Sequence, residues 1–289
     1  MIDAHVHIWD LAIQDQAWIP AGSPIRRTFS LTGLRETIAS SPVQQVILVQ
    51  AINDADETAD LLKAAVGAGD LVAGVIGWAD LADPNFSQQL DTLSSAGPLA
   101  GVRHQALAEP QPGNWLGSPL IQPGLAELAR AGLPFDLMIR PEHFAAAAAA
   151  ARSHPSLQLV LDHLGKPDIA AGELRSWAAG LARLAAEPNI SCKLSGVQTI
   201  ARSGWTYQDL EPFLEVALTA FGPDRMMFGS DWPVCTQAAS YGQVLAVAAA
   251  ACAVLSPAEQ AAVLGGTARR IYRLPRGHCP GIRSSLSYI

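Results

Sequence analysis

The sequence predicts a single-domain α/β protein with the (β/α)8 TIM barrel fold. Eight short segments rich in Val, Ile and Leu alternate with longer Ala- and Leu-rich segments that carry polar positions, a pattern typical of strands followed by helices. Most of the short segments lack a polar residue at every second position, which is expected for a parallel sheet covered on both faces. The length of 289 residues fits one such barrel. We expect the barrel over residues 1–275 and a peripheral C-terminal tail over residues 276–289.

The apolar segments delimit the predicted strands, and capping residues delimit several of the helices between them. In chain order the predicted strands are Ile2–Trp9, Val43–Gln50, Leu71–Trp78, Leu99–Leu107, Pro134–Ile139, Leu157–His163, Asn189–Leu194 and Met226–Asp231. Asp54 or Asp56 can cap a helix that runs to about Ala68, and Pro123 can begin a helix that ends at Gly132. Pro141 can begin an Ala-rich helix through Ala151. Two capping boxes, Thr206 with Asp209 and Ser256 with Glu259, mark the starts of two further helices.

An open, doubly wound sheet is the main alternative to the barrel. That fold usually carries a glycine-rich turn directly after its first strand, where the turn approaches a dinucleotide. Here the first strand is followed by Asp10-Leu11-Ala12, without such a turn. The sequence therefore favours the barrel.

Composition excludes several classes of partner and compartment. Lys and Arg together number 19 against 26 Asp and Glu, for a net charge of −7, and no basic run is present, so we expect no nucleic-acid partner. No apolar run approaches the roughly 20 residues that span a bilayer, and no signal segment follows Met1, so we expect a cytoplasmic protein without membrane contact. The four cysteines include no CxxC pair and do not form a disulfide framework.

The first candidate functional residues are His5 and His7 in the opening strand and Asp231 at the end of the eighth. Residues two apart in a strand point to the same face, so both imidazoles should project towards one point. Such a pair can hold a metal or transfer protons. Because a barrel closes its eighth strand against its first, Asp231 should stand beside both imidazoles. The alternatives are that the spacing of His5 and His7 arises by chance and that Asp231 only caps the loop after its strand.

Further polar side chains lie at the ends of the middle strands. His163 ends the sixth strand and can serve as a third metal ligand or as a hydrogen-bond donor to substrate, whereas Asp162 has the opposite strand parity and is expected to be structural. On the fourth strand, strict alternation lets only one of Arg103 and His104 face the site, and an Arg there would bind a carbonyl, hydroxyl or carboxylate group. Lys193, inside the apolar seventh strand, needs a partner and can reach an acid of the site.

Gln50, Trp78 and Trp232 also fall at or just after strand ends. A Gln amide can bond substrate hydroxyls, and an indole can stack on the apolar face of a sugar ring. We take all three as candidate substrate-binding residues, with plain packing at the barrel rim as the alternative.

Together these motifs resemble the amidohydrolase superfamily, and in particular its branch of sugar-lactone hydrolases. The matching phrases extend across the whole predicted barrel, and they are Asp3–Trp9, Gly101–Gln105, Leu161–Pro167, Cys192–Gly196 and Phe228–Cys235. Similar members open aldonolactones such as L-fucono- and L-rhamnonolactone to the sugar acid. The resemblance therefore implies a lactonase acting on a small-molecule lactone, with the possibility of a homo-oligomer.

The resemblance also implies roles for the candidate residues. Asp231 would act as general base on a water molecule, and His5, His7 and His163 would stabilise the oxyanion, directly or through a metal. The predicted catalytic residues are thus Asp231, His163 and His7, and the predicted metal ligands are His5, His7, His163 and Asp231. The predicted substrate-binding residues are Arg103, His104, Gln50, Trp78, Trp232 and Lys193.

One departure from the family pattern concerns the metal. Metal-rich amidohydrolases carry a bridging carboxylated Lys, usually on the fourth strand, and a His on the fifth, and neither is present here. We therefore expect one divalent ion, with zinc the expected metal, or no required metal at all. Two other functions stay open at this point: a metal-dependent decarboxylase of an aromatic or muconate-type acid, and a barrel that binds a sugar acid without turning it over.

Overall fold

Eight parallel strands pair in sequence order, β1 to β8, and form the barrel that the sequence predicts. The structure is a computed structural model that describes residues 1–275, so the predicted tail over residues 276–289 lies outside the described residues. The strands are β1 (Ile2–Val6), β2 (Gln45–Val49), β3 (Val72–Gly77), β4 (Leu99–His104), β5 (Phe135–Leu137), β6 (Leu159–Leu161), β7 (Ile190–Leu194) and β8 (Met226–Phe228).

The helices cover the outside of the sheet. They are α1 (Leu31–Ile38), α2 (Ala55–Ala68), α3 (Phe86–Ala96), α4 (Pro112–Leu116), α5 (Gln122–Ala131), α6 (Phe144–Ser153), α7 (Leu174–Ala185), α8 (Tyr207–Phe221), α9 (Tyr241–Cys252), α10 (Pro257–Ala261) and α11 (Thr267–Ile271). Among these described segments, no helix is both long and apolar enough to cross a membrane.

The helix boundaries follow from the capping residues. Asp54 caps α2 by accepting from the backbone N–H groups of Asp56 and Glu57, and Gly132 ends α5 in the left-handed conformation that a residue without Cβ adopts readily. The Ala-rich helix begins later than predicted. Residues 141–143 form a 3-10 turn, and α6 begins at Phe144.

The barrel is closed by the chain that follows β8. The Asp231 N–H donates to the His5 carbonyl oxygen over 2.9 Å, and the His7 N–H donates to the Trp232 carbonyl oxygen over 2.7 Å. Several strands are shorter than predicted at their carboxyl ends, because the chain turns there into the loops that carry the polar side chains. These strand ends meet at one end of the barrel, which we call the barrel mouth.

The opposite end of the barrel is filled by α11, the last helix of the described residues, and by the residues that follow it. Ala268 and Ile271 of α11, with Tyr272 and Leu274 after it, pack in one apolar cluster with side chains of the strands. A barrel interior is a packed core rather than a channel, and here α11 completes that core. This end, which we call the closed end of the barrel, is therefore filled by side chains.

Candidate active site

The first and last strands bring one acid and two imidazoles together at the barrel mouth. An Asp231 carboxylate oxygen lies 3.4 Å from His7 Nε2 and 3.8 Å from His5 Nε2. The Nε2 atoms of His5 and His7 are 3.2 Å apart, and all three residues are buried. The spatial arrangement on which the predicted chemistry depends is therefore present.

Local backbone geometry explains why this approach is possible. A Cβ atom at Gly229 would lie only 2.7 Å from the His5 Cβ, so only glycine lets the end of β8 come this close to β1. Asp231 adopts a φ of 59°, in the left-handed region that residues with a Cβ rarely occupy. This turn after β8 places its carboxylate beside the two imidazoles.

Hydrogen bonds orient the His7 ring. Its Nδ1 lies 2.7 Å from the carbonyl oxygen of Val49. Because a carbonyl oxygen only accepts, Nδ1 carries a proton, and Nε2 faces His5 and Asp231. Nε2 is therefore the ring atom that is placed to bind a metal or to exchange a proton with Asp231.

His163 reaches the same cluster from the other side of the barrel. Its Nδ1 lies 2.8 Å from the Ser195 hydroxyl, and the centroid of its ring is 4.5 Å from that of His5. Gly196 is required beside it, since a Cβ there would lie 2.7 Å from His163 Nδ1. Burial lowers the pKa of His163 to about 4, so the ring is neutral at pH 7.

The predicted strand parity of Asp162 is wrong. His163 and Leu164 both adopt positive φ, at 52° and 55°, because β6 already ends at Leu161. The alternation therefore stops, and Asp162 and His163 both contact polar groups inside the barrel. Asp162 pairs with Arg103 and Lys193, which agrees with the structural role expected for it.

Three of the predicted metal ligands are close enough to bind one ion. One ligand atom each from His5, His163 and Asp231 lie within 4.8 Å of one another, and all three residues are buried. Burial raises the pKa of Asp231, but the neighbouring imidazoles outweigh it, the charge of His163 most strongly, and hold that pKa below its usual range. The carboxylate is therefore ionised at neutral pH, as a metal ligand or general base must be.

Arg103 and Gln50 form reciprocal hydrogen bonds below this cluster. The Arg103 guanidinium donates from Nη1 to Asp162 over 3.0 Å, and from Nη2 to the Gln50 carbonyl oxygen. Arg103 Nη1 also lies 3.3 Å from His5 Nε2. The Gln50 amide donates back to the Arg103 carbonyl oxygen over 3.1 Å. Arg103 therefore faces the site, whereas the Gln50 side chain is engaged within the protein.

Lys193 lies one layer deeper, in a buried network that sequence reasoning found only in part. Its Nζ is 2.5 Å from Asp136, 3.1 Å from Asp162 and 3.1 Å from His5 Nδ1. The Tyr272 hydroxyl donates to Asp136 over 2.8 Å. Asp136 was missed, although an acid in the middle of an apolar strand is the same signal that identified Lys193. For Tyr272, in the C-terminal region, the sequence offered no signal.

Three predicted substrate-binding residues lie outside the cluster. Trp78 Nε1 donates to His104 Nδ1 over 3.0 Å, and the His104 ring stacks on Trp115 with centroids 4.0 Å apart. Because Nδ1 accepts, His104 Nε2 carries the proton and donates to Glu109 over 2.8 Å. Trp232 packs edge-on against Phe29, as expected for a residue at the rim.

A cavity of about 150 Å³ opens onto the cluster. Its lining comprises His7, Trp18, Ala51, Arg103, Gln105, Met138, His163, Lys166, Gly196, Thr199, Ile200, Asp231 and Val234. Trp18, Gln105, Met138 and Lys166 are additions to the predicted site. Lys166 lies in a phrase quoted above, next to the glycine turn after His163, but no sequence signal marked Trp18.

Comparisons with known proteins agree with this architecture. The sequence profile of the amidohydrolase family matches residues 2–274. The chain is 35% identical over 282 residues to L-fucono-1,5-lactonase of Burkholderia ambifaria, covering 95% of this chain and 96% of that protein. A crystal structure of an amidohydrolase from Burkholderia multivorans superposes with a TM-score of 0.90 at 37% identity, covering 95% of this chain and 99% of that one.

A second crystal structure of the Burkholderia multivorans amidohydrolase contains bound zinc. It superposes on this chain with a TM-score of 0.90 at 36% identity, over 95% of this chain and 99% of that one. The family model matches almost the whole described chain, and the barrel and the positions of the histidines and Asp231 agree with that match. The chain belongs to the amidohydrolase family.

Proposed function

We propose that this protein is a lactonase that hydrolyses the lactone of a sugar acid, with L-fucono-1,5-lactone and related aldonolactones as the substrate class. The observation that carries the proposal is the ionised Asp231 carboxylate, buried beside His5, His7 and His163 at the edge of a small cavity. The extended similarity to L-fucono-1,5-lactonase supports this substrate class. The same similarity disfavours the decarboxylase and the non-catalytic binder.

The reaction follows from the placement of the acid. Asp231 takes a proton from a water molecule in the cavity, and the resulting hydroxide forms a bond to the lactone carbonyl carbon. When the tetrahedral intermediate collapses, the bond to the ring oxygen breaks, and protonated Asp231 returns the proton to that oxygen. The lowered pKa of Asp231 favours this second proton transfer and disfavours the first.

Positive charge on the cavity wall stabilises the oxyanion. Arg103 lines the cavity, and its guanidinium is held by Asp162 and Gln50. Lys166 lines the same cavity as a second cation, although burial lowers its pKa. Fixed charges aimed at the position where negative charge develops favour the transition state over the substrate.

The donor set fits one divalent ion. His5, His163 and Asp231 offer convergent ligand atoms, and the hydrogen bond of His163 Nδ1 to Ser195 fixes its ring. Zinc is the ion we infer, since imidazole and carboxylate are ligands it accepts. When bound there, the ion would polarise the carbonyl group and lower the pKa of water. Arg103 and Lys193 flank His5 with fixed positive charge, which favours one ion over two.

Replacing the base tests the proposal. We expect Asp231→Asn to lower kcat/KM for L-fucono-1,5-lactone by about 100-fold or more, because the amide cannot accept the proton of water. The assay follows acid release with a pH indicator across a panel of aldonolactones, with and without a chelator, and a parallel CO2 measurement tests for decarboxylation.

The exposed Asp91, on α3, supplies the matched control. Asp91→Asn makes the same chemical change far from the cavity and should retain the parent rate. If Asp231→Asn also retains a rate within a few-fold of the parent, or if the parent opens no lactone of the panel, the proposed function is wrong.

A further inference from the structure

An aromatic side chain that sequence reasoning did not single out borders the catalytic cavity. Trp18 belongs to the long segment between β1 and α1, and its side chain lines the same cavity as His7 and Asp231. It is 41% exposed, one of the large apolar side chains of the described chain that solvent reaches. An exposed indole therefore borders the cavity that the Asp231 carboxylate also lines.

The segment that carries Trp18 is fixed at both ends. Trp9 and Phe29 form an antiparallel bridge, with N–H to carbonyl oxygen distances of 3.0 and 2.9 Å. Within the segment, Arg26 donates to the carbonyl oxygen of Ile19 over 2.8 Å. Trp18 also meets the ring of Trp9 edge to face, with centroids 5.8 Å apart. The position of Trp18 over the cavity is thus built into the loop.

The polar atom of Trp18 is used inside the protein. Its Nε1 donates to the Gln16 amide oxygen over 2.8 Å, and the Gln16 amide nitrogen donates to Glu57 over 3.4 Å. The other Glu57 oxygen accepts from the N–H groups of Ala51 and Ile52 over 2.9 and 3.0 Å. Gln16 and Glu57 therefore join the Trp18 loop to the loop after β2, whose Ala51 also lines the cavity.

With its N–H satisfied, Trp18 offers the cavity only its apolar ring surface. A six-membered lactone of a sugar acid has C–H groups on its ring, and these pack favourably on an aromatic face. We infer that Trp18 is a specificity-determining residue that binds the C–H groups of the sugar-lactone ring, and that Gln16 and Glu57 are positioning residues that hold the indole there. This inference rests on the proposed function and names what selects the substrate within it.

The test compares L-fucono-1,5-lactone with an aldono-1,5-lactone that is its epimer at a ring carbon. For L-fucono-1,5-lactone we expect Trp18→Ala to raise KM about tenfold with kcat changed little, the size of one aromatic contact. For the epimer, in which a hydroxyl replaces one of the C–H groups on the ring face that packs on the indole, KM should change less than twofold. Trp18→Phe retains an aromatic face and should recover most of the affinity. Gln16→Leu should raise KM in the parent but add nothing to Trp18→Ala.

Calorimetry with the lactam analogue of the sugar lactone gives a readout independent of turnover, because an amide resists the hydrolysis that opens an ester. Binding to Trp18→Ala should weaken by the same factor as KM rises. The inference is overturned if Trp18→Ala leaves KM for L-fucono-1,5-lactone within twofold of the parent, or raises KM for both lactones equally. If the parent opens neither lactone but lactam binding still depends on Trp18, the proposed function fails and this inference stands.

Discussion

At the scale of single residues, the site depends on charges placed one layer beneath it. Lys193 lies between Asp136 and Asp162, and all three are fully buried. Burial raises the pKa of Asp136 to about 6 despite the opposing charge of Lys193. Burial also raises the pKa of Asp162, but Lys193, His5 and Arg103 together bring it well below its usual range. Each charge in the network is therefore retained only because its neighbours compensate it.

Removing Lys193 should therefore destabilise the whole protein. We expect Lys193→Met to lower the free energy of unfolding by about 3–5 kcal/mol, because the variant leaves buried carboxylates without their cation. Denaturant unfolding measures the change. Lys63→Met makes the same substitution at an exposed position of α2 and should change stability by no more than about 0.5 kcal/mol. Equal stability of the two variants would show that the buried network is not stabilised by Lys193.

At the scale of secondary structure elements, the periodicity of the sequence predicts the strands well and their ends poorly. All eight strands lie within the predicted segments, because buried parallel strands require continuous apolar runs. The alternation of side chains failed at Asp162, where the left-handed conformations of His163 and Leu164 end the pleat. Such turns depend on tertiary contacts, here with Ser195 and Gly196, which sequence spacing does not reveal.

Glu57 of α2 accepts hydrogen bonds from the loop after β2, and we expect its titration to make the stability of the protein depend on pH. Burial raises the pKa of Glu57 from its ordinary 4.5 to about 7. The folded protein therefore holds this proton to a higher pH than the unfolded chain does, so stability falls as the pH rises from about 4.5 to about 7. The penalty at neutral pH is about 3 kcal/mol by linkage.

Replacement of Glu57 by its amide isolates this contribution. The Gln side chain of Glu57→Gln cannot ionise. The free energy of unfolding of this variant should therefore decrease less than that of the parent between pH 4.5 and pH 7. Denaturant unfolding at several pH values measures the difference. The exposed Glu36, on α1, provides the control Glu36→Gln, whose pH dependence should match that of the parent. If Glu57→Gln shows the same slope as the parent, Glu57 is not protonated in the folded state at pH 5–6.

At the scale of the whole molecule, barrel closure links the two ends of the sequence. The pairing of His5 with Asp231 was predictable because a barrel has only one partner for its last strand. The positions of His104, Trp78 and Trp232 were not, since a residue at a strand end can turn to the rim or to the mouth. The side chains on the β1–α1 segment were equally hidden, because a long loop has no periodicity that would place Trp18 over the cavity.

The closed end of the barrel should control stability without controlling chemistry. Tyr272, buried after α11, donates its hydroxyl to Asp136 and thereby ties the C-terminal region to the network beneath the site. We expect Tyr272→Phe to lower the free energy of unfolding by about 1.5–3 kcal/mol, because Asp136 loses a hydrogen bond to a buried charged group. Since Tyr272 does not reach the cavity, kcat/KM should stay within a few-fold of the parent well below the melting temperature.

The partly exposed Tyr207, at the start of α8, offers the same substitution away from this network. Tyr207→Phe should leave the free energy of unfolding nearly unchanged, so the difference between the two variants measures the buried hydrogen bond. Denaturant unfolding and the lactone assay on the same samples separate the two effects. A large loss of kcat/KM in Tyr272→Phe with unchanged stability would mean that the C-terminal region acts on catalysis through Asp136, Lys193 and His5, and that the two ends of the barrel are not independent.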